Sequence, residues 1–134
     1  MAIKAKSWYP MDNASLVARV EEGVPVLDVV EFGRSAGFTH EELAKLIHVP
    51  SRTYSRRMAG GKKLKLDESE RAVRFMRVYD HARQLFVTHE STRRWLNLKL
   101  PALGWRTPLD FAQTEPGARE VEDLIERIAD GGVA

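Results

Sequence analysis

The feature that most constrains the fold of this chain is a long amphipathic segment in its middle, residues 68–88 of 134. Its apolar side chains recur at the spacing of an α-helix; they are Ala72, Phe75, Met76, Tyr79, Ala82, Leu85 and Phe86. A helix with so wide an apolar stripe needs other elements to cover it. The segment therefore predicts the central core helix of a globular protein, with Asp67 as its N-cap and Glu70 at the reciprocal position.

The flanking segments predict further helices, so the expected fold class is all-α. These helices lie at residues 14–22, 26–32, 39–47, 51–58, 91–98, 108–112 and 115–130. Thr39 lies three residues before Glu42, the spacing of a capping box, and Thr107 and Thr114 precede the last two helices. The second helix is expected to end at Gly33, and its many valines leave a short strand open as the alternative. The last helix carries an apolar stripe: Val121, Leu124, Ile125 and Ile128.

The third and fourth predicted helices are joined by about four residues, which is the minimal helix-turn-helix pattern. Ala44 is small enough for the second helix of this motif to cross it closely, and Val49 fits the corner between the two helices. Tyr54 and Met58 are four residues apart and are expected to face inward. His48 stands where such a turn usually has a glycine in the left-handed conformation, which histidine tolerates better than a branched side chain does.

The fourth helix and the loop after it form the most basic stretch of the chain. Residues 51–65 contain six lysines and arginines and no acid, whereas residues 107–134 contain seven acids and two arginines. This asymmetry suggests two different partners, and arginine, serine and threonine suit phosphates and base edges. The predicted DNA-binding residues are Ser51, Arg52, Thr53, Ser55, Arg56, Arg57, Lys62 and Lys63. A charged face that is merely solvated is the alternative.

Composition and motifs argue against several other classes of protein. The chain has no cysteine, which excludes disulfides and thiolate metal sites and fits a reducing cytoplasm. It has neither an apolar run near the roughly 20 residues of a membrane helix nor the apolar segment of a secretory signal near its start. The four histidines are too scattered for a zinc site, and no nucleophile or phosphate-loop motif is present. We expect a cytoplasmic protein that is not an enzyme and needs no cofactor or metal, with His81 at the surface.

From Gly37 onward the sequence resembles the Xre/MbcA/ParS family of antitoxins. Residues 52–57, R-T-Y-S-R-R, are similar to the family's R-T-x-x-R-R. Residues 64–71 are similar to its L-x-x-x-E-S-x-R.

The more specific part of the resemblance lies in the C-terminal third. The pair W-L at 95–96 is followed by P-A-L-G-W-R-T-P-L-D at 101–110, where the family usually has a proline and then L-G-G-x-T-P-L. Trp105 replaces the second glycine of that motif. The segment T-E-P-G-A at 114–118 and the helix up to Gly131 complete the match.

The resemblance implies a type II antitoxin with two roles. Members of the family dimerise, bind the operator of their own operon, and neutralise a RES-domain toxin that destroys or consumes NAD. The implied organisation is a helix-turn-helix module at 1–66 and a toxin-binding module at 67–134, bridged by the core helix 68–88. Two alternatives stay open: a stand-alone helix-turn-helix repressor with a dimerising C-terminus, and an inhibitor whose helix-turn-helix no longer binds DNA.

The predicted toxin-binding residues combine this resemblance with the chemistry of the side chains. They are Trp95, Leu103, Trp105, Arg106, Pro108, Leu109, Asp130, Gly131, Gly132, Val133 and Ala134. Trp105 lies in a Gly/Pro loop, where a core plug and an exposed binding anchor are both plausible. Residues 130–134 are expected to carry Asp130 and the terminal carboxylate to arginines of the toxin's NAD pocket; a frayed terminus is the alternative.

Self-association is expected as well, because one helix-turn-helix reads few base pairs and such proteins commonly bind symmetric half-sites about 34 Å apart as dimers. The candidate surfaces for a homodimer are the core helix and four apolar residues near the start of the chain: Trp8, Tyr9, Leu16 and Val20.

Overall fold

A computed structural model of the protein describes residues 7–131. Over that range the chain forms α1 Asn13–Glu22, α2 Val26–Ala36, α3 His40–Leu46, α4 Ser51–Ala59, α5 Leu66–Phe86, α6 His89–Leu96, a 3-10 turn Pro101–Leu103, α7 Pro108–Phe111 and α8 Glu115–Ala129. The all-α prediction is confirmed, and the strand considered for the valine-rich segment is wrong, because that segment is α2. None of the helices within 7–131 is long and apolar enough to cross a membrane.

The long helix α5 is the centre of the structure, as its apolar stripe predicts. It packs against α1, α6 and α8 and also touches α3. Phe32 of α2 and Phe38 after it meet Phe75 and Tyr79 of α5 edge to face, with ring centroids 5.2–5.7 Å apart. These aromatic contacts join the helix-turn-helix part of the chain to the core helix.

Two helix ends differ from the prediction for identifiable reasons. α2 continues through Gly33 to Ala36. Position 33 is glycine for close packing and not for helix termination, because a β-carbon there would lie 2.2 Å from Leu43 Cδ1. α5 begins at Leu66 rather than Glu68, and the N–H of Lys65 donates to Glu68 Oε1 at 2.8 Å. The expected cap, Asp67, is exposed and already lies inside the helix.

The predicted threonine caps are confirmed. The N–H of Glu42 donates to Thr39 Oγ1 at 3.1 Å and the N–H of Thr39 donates to Glu42 Oε1 at 2.9 Å, a complete capping box. Thr107 and Thr114 accept from the first turns of α7 and α8, both at 3.1 Å. α6 starts two residues earlier than predicted, because Thr88 caps it.

The last helix, α8, buries its predicted apolar stripe against α5. Its first turn approaches α7 so closely that a β-carbon at Gly117 would lie 1.8 Å from the carbonyl oxygen of Phe111. Glycine is therefore required at that position.

The segment before α1 lies across α5 and fills the protomer's own core. Trp8 is 2% exposed, and its backbone N–H donates to Asp80 Oδ2 at 2.8 Å. Leu16 is also buried, and Val20 packs against the core. The expectation that Trp8 and Leu16 form a dimer surface is therefore wrong, because both side chains are already covered within one protomer.

Candidate functional site

Helices α3 and α4 form the predicted helix-turn-helix. His48 has a φ of 57°, so it adopts the left-handed conformation that this turn requires. The N–H of Val49 donates to the carbonyl of Ala44 at 2.9 Å, and both side chains are buried, as is Tyr54. The inward positions predicted for this motif are therefore confirmed, with Met58 partly buried.

Most of the predicted DNA-binding side chains lie on the outer face of α4 or in the turn that follows it. Six are exposed and Thr53 is partly buried; the exposed ones are Ser51, Arg52, Ser55, Arg56, Lys62 and Lys63. Within residues 7–131 no carboxylate pairs with Arg52, Arg56 or Lys62. The N–H of Val26 donates to the carbonyl of Lys62 at 3.0 Å, which ties this turn to the start of α2.

Arg57 differs from the other cations of this stretch. Its guanidinium donates to Glu68, and the side chains of Arg57 and Glu68 are only 14% and 10% exposed. Glu68 thus neutralises Arg57 and fastens α4 to the first turn of α5. We therefore exclude Arg57 from the free cationic face and keep Arg52 and Arg56 as its centre.

The loop between α6 and α7 presents Trp105. This side chain is 66% exposed, so the core-plug alternative is wrong. Its φ of 66° is in the left-handed region, which is uncommon for a large side chain. The N–H of Trp105 donates to the carbonyl of Leu100 at 2.8 Å, and the N–H of Leu100 donates to the carbonyl of Arg106 at 3.1 Å. The loop is therefore a closed, hydrogen-bonded turn.

Three of the predicted toxin-binding residues are buried in the core. Trp95 is 7% exposed and packs on Phe86, Leu103 is 3% exposed, and Pro108 is buried at the start of α7. Their assignment as contact residues is corrected, because their side chains are covered within the protomer. The motif that suggested them contains core residues and surface residues side by side.

The remaining predicted contacts are accessible or partly so. Arg106 is exposed, pairs with Asp110 at 2.8 Å, and lies over the ring of Phe111 at 5.2 Å; Leu109 is partly buried. Asp130 and Gly131 are exposed at the end of α8. Gly132, Val133 and Ala134 lie outside the described residues.

A cluster of ionisable groups around the buried His81, between α5 and α8, escaped the sequence prediction. His81 is 5% exposed, and its two ring nitrogens face Glu122, at 3.1 Å, and Glu126. Tyr9 stacks on the imidazole with centroids 3.9 Å apart. The surface position expected for His81 is therefore wrong. The available signal was the helical spacing of Arg77 and His81, which matches the spacing of the acids on α8.

The geometry of this cluster shifts the pKa values of its members. Burial by itself would lower the pKa of His81, but hydrogen bonds to Glu122 and Glu126 outweigh burial and raise it above its ordinary value. Burial by itself would raise the pKa of Glu122, but the hydrogen bond from His81 and the charge of Arg77 lower it. His81 therefore bridges two carboxylates of α8 and holds α8 on α5. Among residues 7–131 no group of His, Asp and Glu is arranged to hold a metal ion.

Comparison with known protein families gives two matches that together span most of the chain. Residues 15–77 match the family described as the antitoxin Xre-like helix-turn-helix domain. Residues 81–131 match the family described as the antitoxin Xre/MbcA/ParS C-terminal toxin-binding domain. The two matches meet inside α5, which both parts of the fold share.

Three curated proteins, each called Antitoxin Xre, are similar over most of their length. The protein from Photorhabdus laumondii is 37% identical over 120 residues, which is 89% of this chain and 81% of that protein. The protein from Yersinia enterocolitica is 35% identical over 109 residues, 81% of this chain and 72% of that protein. The protein from Pseudomonas putida is 26% identical over 113 residues, 84% and 70% of the two chains. Together with the two family matches, these similarities show that this chain belongs to the Xre antitoxin family, a non-enzymatic regulatory family.

Proposed function

We propose that this protein neutralises a RES-domain toxin that consumes NAD and represses its own operon as a homodimer. The observation that carries the toxin-binding part is the loop with Trp105: a large aromatic side chain, 66% exposed, is held outward by a closed turn that also contains the buried Leu103. Exposed tryptophans on rigid supports are typical centres of binding energy in protein interfaces. The match of residues 81–131 to a toxin-binding domain favours this function over that of a stand-alone repressor.

The toxin-binding proposal is tested with the product of the adjacent gene as the partner. Trp105→Ala should weaken binding of that partner by about 2 kcal/mol or more, roughly 30-fold, and so reduce both its co-purification and its inhibition in an NAD-consumption assay. Leu27→Ala is the matched control, because Leu27 is 52% exposed but lies on α2. Full inhibition by the Trp105 variant would contradict the proposed contact. An adjacent gene product that does not consume NAD would contradict the RES-toxin identity.

DNA binding is assigned to the exposed face of α4. Arg52 and Arg56 are cations without an acidic partner in residues 7–131, and they project from the second helix of a well-formed helix-turn-helix. A helix in this place enters the major groove in proteins of this architecture. The double variant Arg52→Ala, Arg56→Ala should weaken binding to the DNA upstream of its own gene and reduce the salt dependence of binding, with each lost phosphate contact removing about 0.9 from the slope. Arg127→Ala, an exposed change on α8, should leave both quantities unchanged.

The segment after α8 is a second candidate contact with the toxin. α8 ends at Ala129, and Gly131 has a φ of 89°, so the backbone leaves the helix axis there. Asp130 is exposed at this exit and suits the arginines of a pyrophosphate site. Deleting residues 130–134 should restore NAD consumption in the complex while operator binding persists. Full inhibition by the truncated protein would leave the Trp105 loop as the inhibitory contact.

Homodimer formation is proposed because a single α4 reads too few base pairs to specify an operator. With Trp8 and Leu16 buried, the candidate surface moves to the groove between α1 and α5, where Val17 is 53% exposed. Light scattering at micromolar concentration should report twice the mass of the chain, and Val17→Glu should halve that value.

A further inference from the structure

Arg93 is a cation that no carboxylate pairs with in the part of the chain that the structure describes. It belongs to α6, but its guanidinium lies against the turn between α2 and α3: a β-carbon at Gly37 would be 3.1 Å from its Cζ and 3.2 Å from its Nε. Its Nε is buried and has no hydrogen-bond partner, and no carboxylate among residues 7–131 pairs with it. A side chain of the C-terminal part of the chain thus lies against the turn before the helix-turn-helix, without a carboxylate partner among residues 7–131.

The position of Arg93 relative to the motif is informative. The Gly37 turn leads directly into α3, the first helix of the helix-turn-helix, and in such motifs the first helix crosses the DNA backbone. The ring of His40, at the start of α3, lies 5.9 Å from the ring of Tyr54 on α4. The entry to α3 therefore lies close to the inward side of α4, and Arg93 lies beside the turn that leads into that entry.

The surroundings of Arg93 favour an anion as the missing partner. Arg83 Nε donates to His89 Nδ1 at 3.2 Å, and Tyr79 Oη lies 2.7 Å from the same nitrogen. Burial, and then the charges of Arg83 and Arg93, lower the pKa of His89, which keeps its ring neutral. Two arginines therefore act on this region, and the acid that acts with them on the neighbouring Tyr79 is Asp80, which interacts with Arg83.

We propose that Arg93 contacts a backbone phosphate of the operator, so that the surface binding DNA extends beyond the helix-turn-helix into the C-terminal module. This inference rests on the proposed DNA binding. The competing explanation is structural: a cation at the C-terminal end of α2 is favoured by the helix dipole. The two explanations differ in what they predict for the salt dependence of DNA binding.

The test is fluorescence anisotropy of labelled upstream DNA with the full chain between about 50 and 200 mM salt. Arg93→Gln should reduce the slope of log Kobs against log salt by about 0.9, which is about a 3.5-fold smaller loss of affinity over that range. Arg93→Lys keeps the charge and should keep the slope. Arg94→Gln is the matched control, because Arg94 is on the same helix, 68% exposed, and already paired with Glu90 at 3.2 Å.

Each outcome decides the matter. An unchanged slope in Arg93→Gln overturns the phosphate contact. An equal reduction of the salt slope in Arg93→Gln and Arg93→Lys shows that the shape of the side chain, not its charge, matters at this position, and this result also overturns the phosphate contact. A reduced slope in Arg93→Gln alone supports the contact, whatever the thermal midpoint of that variant. If the natural protein itself shows no salt-dependent binding, the proposed DNA binding fails first and the inference fails with it.

Discussion

Trp105 adopts a backbone conformation that is unfavourable for a residue with a side chain. The free-energy cost of that conformation can be measured separately from the contact of Trp105 with a partner. A non-glycine residue in the left-handed region costs about 1–2 kcal/mol, whereas glycine adopts that region freely. Because Trp105 has a φ of 66°, Trp105→Ala retains the backbone strain and Trp105→Gly removes it. Glycine also gains about 0.4–1 kcal/mol of freedom in the unfolded chain, which offsets part of the benefit.

The two variants should therefore separate in stability but not in binding. Trp105→Gly should be more stable than Trp105→Ala by about 0.5–1 kcal/mol, or about 2–4 °C in the midpoint of thermal unfolding for a chain of this size. Both lose the exposed indole, so both should weaken toxin binding by about 2 kcal/mol or more, roughly 30-fold. Calorimetry of the free protein and titration of the toxin give the two quantities.

Two results would refute this reasoning. Equal midpoints for the alanine and glycine variants would mean that the turn imposes no strain on residue 105. Toxin affinity close to that of the natural protein in either variant would mean that the indole is not an anchor, even though it is exposed.

Three further predictions concern the stability of the fold. The difference in unfolding free energy between the natural protein and His81→Gln should be largest below about pH 6.5 and should fall as pH rises, because a raised pKa in the folded state stabilises only while His81 is protonated. Denaturant titrations at several pH values measure this difference, and the contribution of Asp80, whose pKa is raised to about 6, cancels in the comparison. A difference that does not change with pH would count against the bridge. Gly117→Ala should cost several kcal/mol, because its β-carbon would collide with the backbone of α7, whereas Gly60→Ala, with contacts no closer than 3.4 Å, should be tolerated in the same denaturant titration. Arg57→Ala should destabilise by about 3 kcal/mol by leaving Glu68 buried and unpaired; its effect on the salt slope of DNA binding should be smaller than that of Arg56→Ala, and an equal effect would return Arg57 to the DNA-binding face.

The features that the sequence predicts well are those set by local chemistry. Threonine caps, the apolar stripe of α8 and the helix-turn-helix follow from spacings of a few residues. The left-handed turn at His48 belongs to the same class, since the motif itself requires it. These features need no knowledge of distant contacts.

The features that the sequence misses depend on tertiary contacts. The sequence predicts that Gly33 ends a helix, whereas in the structure it packs against Leu43. The sequence likewise predicts a surface position for His81, whereas Tyr9 and α8 cover its side chain. Arg57 belongs to an acid-free run along the chain, but Glu68 comes from the next helix. In each case a residue from another element changes the environment, and spacing along one element does not report it.

The two modules of the chain are distinguished by the partners proposed for them, whereas in the structure they are joined by hydrogen bonds from the same helix, α5. Arg71 Nε donates to the carbonyl of Ile47, inside the helix-turn-helix, at 2.7 Å. One turn further along α5, Arg74 donates to the carbonyl of Gln113, just before α8, and His48 lies 3.4 Å from the Gln113 amide. The turn that positions α4 and the link that positions α8 are therefore fixed by consecutive turns of one helix. Because α5 supplies both sets of hydrogen bonds, a partner that displaces α7 or the start of α8 must disturb contacts that also hold the turn at Ile47–His48. For the same reason α5 cannot be assigned to either module alone.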